Sequence, residues 1–254
     1  MRGEEKEETK SLFFVKVGEK RIFRTYNICK KSAADTYTKN KEITMINKVT
    51  ATGSVVAIKK FGAASGRITI AQKINYRIRK DGHGENAVRD DYLIFQYNAS
   101  SNIKDVIDTL RTGDHVEIEG HVNSYLKRNE DGSTKECVNL YLDSIKPEET
   151  EFYKTFGIPG GHYPQDANAL CIEGKIEALV MRGSMINLRL NASDENKTNL
   201  ITLMAGNRFV NEVKRFSIGD RVYIGAMIKT QPITEQSDRR DYNQFTITAI
   251  AKAK

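Results

Sequence analysis

Between Lys59 and Lys80 the sequence places Lys59, Lys60, Arg67, Lys73, Arg77, Arg79 and Lys80 with no acid among them. Phe61 and Tyr76 fall inside the same run. Cationic side chains neutralise phosphates and release condensed counterions, while aromatic rings stack on unpaired bases. The chemistry that suits this pattern is the binding of a single-stranded polyanion, not the making or breaking of bonds. A solubilising surface with both rings tucked into a core is the competing reading of the same residues. Tyr97, at the end of an apolar run, and Tyr125, Lys127 and Arg128, just before the polar turn "NEDGS", repeat the theme.

The other polar residues offer little to catalysis. His83, His115, His121 and His162 lack metal-ligand spacing, and no phosphate-cradling glycine loop or nucleophile elbow is present. His115 and His121 alternate with Glu117 and Glu119, which reads as the solvated outer face of one strand. Asp90 and Asp91 are adjacent, so a strand would point them to opposite faces. Cys29, Cys137 and Cys171 form no C-x-x-C pair, as expected of reduced thiols in a cytoplasm. No enzyme, metal or cofactor is expected.

The balance of the whole chain agrees with a polyanionic partner. Its 254 residues carry a net charge of +7 and a sequence pI of about 9.1. With 39% apolar and 29% charged residues it can bury a core and stay soluble. No run approaches a membrane span, and the mixed-charge "MRGEEKEETK" is no signal peptide, so a cytoplasmic protein is expected.

The elements that must position these residues come in two copies. "NIKDVIDTL" places Ile103, Ile107 and Leu110 on one helical face, and "RTGDHVEIEGHV" follows it as a tight turn and a strand. "RFVNEVKRF" and "SIGDRVYIGAMI" repeat this at a constant offset of 106, from 103 to 209, 107 to 213, 110 to 216 and 113 to 219. Upstream, "TATGSVVAI" resembles "CIEGKIEAL", each a strand holding one glycine where a barrel turns its corner. The order in each copy is three strands, a helix, then two strands. That order predicts an all-β protein of two tandem five-stranded OB-fold barrels, each with one short helix between its third and fourth strands. The expected units are an N-terminal extension with a hairpin over 1–42, a first barrel over 43–147, a linker over 148–167 and a second barrel over 168–254. The hairpin would cover a sheet edge or form an oligomer contact.

Segment 47–147 resembles the bacterial and phage single-stranded DNA-binding protein family. The matching stretches are "NKVTATG", "INYRIRKDG", "DDYLIFQYN", "LRTGDHVEIEGHVNSYLKRNEDGS" and "CVNLYLDSIKP". The resemblance implies that Tyr76, Tyr97 and Tyr125 stack on bases and that the neighbouring lysines and arginines hold the backbone. It departs from the family in lacking tryptophan and in ending "AIAKAK" where the family has an acidic tail that recruits replication and repair proteins. Between its strand glycine and its Gly-Asp turn the second copy is also shorter than the first, and the missing length is the basic hairpin. The expectation is therefore a protein that coats single-stranded DNA during replication or recombination of a phage or related element, mainly through its first barrel. Replication or recombination proteins and a homo-oligomer are its expected partners. A protein-docking pair of barrels, or an RNA-binding one, remains the alternative.

Overall fold

The computed structural model describes residues 45–62, 64–80, 83–98, 101–148, 166–194, 197–231 and 242–253, with backbone alone for 75–80, 83–87, 101, 102, 207, 231 and 242. The expected N-terminal hairpin and most of the expected linker lie outside these residues. The first set of strands is β1 (Asn47–Lys60), β2 (Ser65–Lys80), β3 (His83–Asn98), β4 (His115–Arg128) and β5 (Thr134–Pro147), with helix α1 (Ser101–Thr109) after β3. The second is β6 (Asn168–Arg182), β7 (Met185–Asn191), β8 (Leu200–Ala205), β9 (Arg221–Gln231) and β10 (Tyr242–Lys252), with α2 (Asn207–Val213) after β8. In the first set the ladder runs β2-β3-β5-β4-β1 and closes because β1 also pairs with β2. In the second it runs β6-β7-β8-β10-β9 and closes through β6 and β9. This is the OB-fold arrangement.

The duplicated Gly-Asp turn has a definite task. Strand β1 gives its first half to β4 and its second half to β2, and the register shifts between Val55 and Ala57. At that shift Gly113 N donates to Val55 O at 2.8 Å, and Val55 N donates to Asp114 O at 2.8 Å. The second copy repeats both bonds, Gly219 N to Ile176 O at 2.8 Å and Ile176 N to Asp220 O at 2.9 Å. Gly113 and Gly219 take φ of 96° and 97°, a left-handed conformation costly to any residue with a Cβ. The aspartates brace the turn by accepting from Arg111 N at 2.7 Å and Ser217 N at 2.8 Å. Each turn therefore clamps a strand where its barrel bends.

The strand glycines serve a neighbouring purpose. A Cβ at Gly53 would stand 2.6 Å from the Ala71 carbonyl oxygen, and one at Gly174 2.5 Å from that of Asn191. They permit close approach of the next strand, and the irregularity itself falls two residues later. Gly53→Ala is expected to cost about 1–3 kcal/mol, because the carbonyl it meets is fixed in a ladder. Thermal unfolding checks this, and an unchanged midpoint would show that the backbone yields freely.

Alternation fills both interiors. Val116, Ile118 and Val122 from β4 and Val222, Ile224 and Ile228 from β9 are all buried, as their spacing predicts. Ile103 and Ile107 on α1, and Val210 and Val213 on α2, are buried in the same core as Phe95 and Phe245.

The barrels share one sheet. β1 and β6 run antiparallel with Asn47 opposite Ile172, Val49 opposite Leu170 and Ala51 opposite Asn168. Asn47 clamps Val122 through both main-chain groups at 2.7 and 3.0 Å, and Asn168 clamps Ile228 at 2.7 and 2.8 Å. The junction is thus close to two-fold about Val49 and Leu170. On one side Asp166 accepts from Lys73 N at 2.6 Å and Thr52 Oγ1 at 3.1 Å, with His115 Nε2 2.9 Å away. Gln72 Nε2 donates to the Thr52 and Ala167 carbonyls, so the buried polar atoms here hold one another.

Two expectations are corrected here. His115 keeps the outward side of β4 that it shares with His121, but it is buried and not solvated, because β4 starts beside the returning chain and Glu148 and Asp166 flank the ring. Of the two described cysteines, Cys137 is a free thiol and Cys171 is disulfide-bonded, so the expected reduced state does not hold at Cys171.

Candidate nucleic-acid interface

Register places one outward residue from every strand of the first barrel in a continuous lateral row. Lys59 pairs with Arg67, Arg67 with Gln96, Gln96 with Tyr141, and Tyr141 with His121. Directly paired residues point to the same side of a sheet, so the row crosses β1, β2, β3, β5 and β4 on the outside of the barrel. The Tyr141 and His121 rings stack at 5.4 Å with 13° between their planes.

Phe61 sits at one end of this row, in the turn where Phe61 N donates to Ser65 O at 2.8 Å. A turn of that length holds the ring clear of the ladder, and Phe61 is 54% exposed. The Lys59 ammonium lies 5.7 Å and the Arg67 guanidinium 5.4 Å from its centroid. A cation near an aromatic face is worth about 0.5–1 kcal/mol at an exposed site. Here the pair also puts two phosphate-binding groups beside a stacking platform.

The other cations of the run divide. Lys60 points along β1 to α1 and pairs with Asp108, a contact that raises the lysine above its ordinary pKa and lowers the aspartate below its own. Lys73 faces Asp90 across the β2–β3 ladder at 2.6 Å. These two are tied to acids, and a phosphate must compete for them. Arg77, Arg79, Lys80 and Tyr76 lie on the far half of β2, paired in backbone with Asn86, Gly84, His83 and Ala87, and their side chains lie outside the described residues.

Tyr97 requires a correction. It was expected to stack on a base, but it is 4% exposed and shares the inward face of β3 with Leu93 and Phe95. Its hydroxyl lies so close to Gly66 that a Cβ there would collide with it. Burial also pushes the phenol above its ordinary pKa. Tyr97 is a core residue in this fold.

The outward aromatic of β3 is Tyr92, 45% exposed and opposite Ala71 on β2. The period of two set by Leu93 and Phe95 was the signal that could have found it. Tyr125 is 43% exposed, as expected, and lies on the outer face of β4 beyond His121 and Asn123. Lys127 stands opposite Lys135, a cation that sequence reading passed over, and Arg128 next to them is exposed. Two like charges side by side are tolerable on a hairpin that meets polyanions and unfavourable otherwise. Among the described residues no cluster of metal-ligating side chains occurs.

The second barrel carries the same row with different chemistry. Val180 pairs with Asn187, Asn187 with Met204, Met204 with Thr246, and Thr246 with Met227. Every position of the first row has a counterpart, and no charge or aromatic ring survives. β2 and β3 have 16 residues each, against 7 in β7 and 6 in β8. The trimmed length foreseen in the sequence is the basic hairpin.

No protein-family model and no curated protein matches the chain. Solved structures do match. A deletion mutant of the single-stranded DNA binding protein from Thermus aquaticus aligns over 84% of this chain and 96% of its own, with a TM-score of 0.60 at 13% identity. The wild-type protein aligns over 83% and 94%, with a TM-score of 0.59 at 13% identity. The fold is shared. At that identity the likeness extends to architecture, and the face that binds must be argued from this chain's own residues.

Proposed function

We propose that the protein binds single-stranded DNA on the outside of its first barrel, without catalysis, and protects it during replication or recombination of a phage or related element. The observation that carries this reading is the contrast between equivalent rows. Lys59, Arg67, Gln96, Tyr141 and His121, with Phe61 at their edge, offer cations and rings where the second barrel offers Val180, Asn187, Met204, Thr246 and Met227. A fold alone needs neither set, so the difference reflects use. Similarity in fold to proteins described as binding single-stranded DNA supports the same reading. Sequence preference is expected to be low, since every base has a face to stack.

A fluorescence titration with labelled oligo-dT, repeated on a duplex of equal length, tests the proposal. Tight binding to the first and weak binding to the second is expected; equal or absent binding overturns it. The same titration across salt concentrations should give a slope of log K against log salt near −3 to −4, for roughly four to six neutralised phosphates at about −0.7 each. A flat response would remove Lys59, Arg67, Lys127 and Arg128 from the binding surface.

A further inference from the structure

The two-stranded arm that carries Tyr125, Lys127 and Arg128 outruns the core of its own barrel. Val122 opposite Leu140 is its last fully buried rung, and six more follow, from Asn123–Asn139 to Arg128–Thr134. A lone two-stranded ribbon is marginal in water, so an arm of this length needs something to lie on. Directly paired residues share a side of the ribbon. Tyr125 and Cys137, with Lys127 and Lys135, form one side, and Ser124 and Val138, with Leu126 and Glu136, form the other.

That other side rests on the second barrel. Ser124 N donates to Asn199 Oδ1 at 3.0 Å, and Leu200 N donates to Ser124 Oγ at 2.7 Å. Asn243 Nδ2 on β10 donates to the Val138 carbonyl at 3.1 Å. Farthest along the arm, Arg189 Nη2 on β7 donates to Glu136 Oε2 at 2.8 Å, with Glu177 3.7 Å from the same guanidinium. Leu126, across the rung from Glu136, is 71% exposed, so the support ends at this pair. We propose, on the reading that single-stranded DNA binds the first barrel, that the second barrel holds this arm in its binding position, with Arg189 as the positioning residue. The Arg189 guanidinium meets Glu136 and not DNA. It fixes the direction in which Tyr125, Lys127 and Lys135 face, and it neutralises an acid one rung from the two lysines. The barrel that lacks the row of cations and rings thus keeps a part in binding through its grip on the other barrel's arm.

Oligo-dT titration and amide hydrogen exchange of full-length variants test this. Glu136→Ala removes an acid, which by charge alone strengthens binding to a polyanion. Here it is expected to weaken binding about two- to fivefold, the range of a lost surface ion pair. Arg189→Ala should do the same, the double variant should be no weaker than either, and Arg189→Lys should keep most of the affinity. In a chain already carrying Lys127→Ala/Lys135→Ala, Arg189→Ala should change nothing further. Without DNA, the amides of 123–128 and 134–139 should exchange faster in Arg189→Ala by a similar factor, at an unchanged thermal midpoint. Stronger binding by Glu136→Ala would overturn the proposal, as would arm amides that exchange as in the parent. A loss from Arg189→Ala that persists without the two lysines would overturn it too, by making Arg189 a direct contact. A parent chain that fails to bind oligo-dT overturns the proposed function and with it this role. A parent that binds while the variants match it overturns this proposal alone.

Discussion

Phe61→Ala is expected to weaken oligo-dT binding by about 1–3 kcal/mol, or roughly 5- to 150-fold, because base–aromatic stacking contributes that much per base. The ring is 54% exposed and meets only the exposed cations Lys59 and Arg67 among the contacts described, so the thermal midpoint should stay where it is. Arg67→Ala separates the two parts of the site. It leaves the ring in place and removes a cation 5.4 Å from it, so affinity should fall less at high salt and the salt slope should become shallower by about 0.7. If Phe61→Ala binds as the parent does, stacking at this turn plays no part, and the row across β3, β5 and β4 must carry the interaction without it.

Tyr97→Ala should act on folding instead of binding. Truncating a buried aromatic costs about 3–5 kcal/mol, through lost transfer energy and the cavity left behind. For a chain of this size that lowers the thermal midpoint by about 10 °C. Protein that remains folded should bind oligo-dT with near-normal affinity. Loss of affinity at an unchanged midpoint would mean that the ring swings out to meet a base, and its inward placement against Gly66 would not be the binding state. Tyr92→Ala supplies the contrast, since Tyr92 occupies the outward side of the same strand.

These two tyrosines mark where sequence reasoning stopped. The fold was legible because its signals are local and periodic. The Gly-Asp turns, the strand glycines and the apolar faces of α1 and α2 each depend on a few adjacent residues, and their repetition fixed the strand order. The site was legible only as composition. Tyr97 and Lys60 lie in the right stretches, yet Tyr97 faces inward and Lys60 is tied to Asp108, and a strand shifted by one residue presents the opposite set. Lateral neighbours are further out of reach. Nothing local in "NLYLD" or "EGHVN" announces that Tyr141 and His121 stack, or that Gln96 lies beside them, because those relations come from register across three strands. Phe61 was visible because it sits in a turn, where alternation does not apply.

The β1–β6 junction has a consequence for how such a chain can change over generations. Its main-chain pairing is reinforced by side chains that reach from one barrel to the other: Asn199 bonds Val122 and Ser124, Asn168 bonds Gln72, and Arg189 pairs with Glu136. Those side chains, with Thr52, Gln72, His115 and Asp166, must keep their identity for the junction to hold. A duplicated barrel joined in this way can change its outer surface, residue by residue, away from those positions without loosening from its twin. The Val180 to Met227 row shows how far the outer chemistry of two copies of one fold can part while the fold itself is kept.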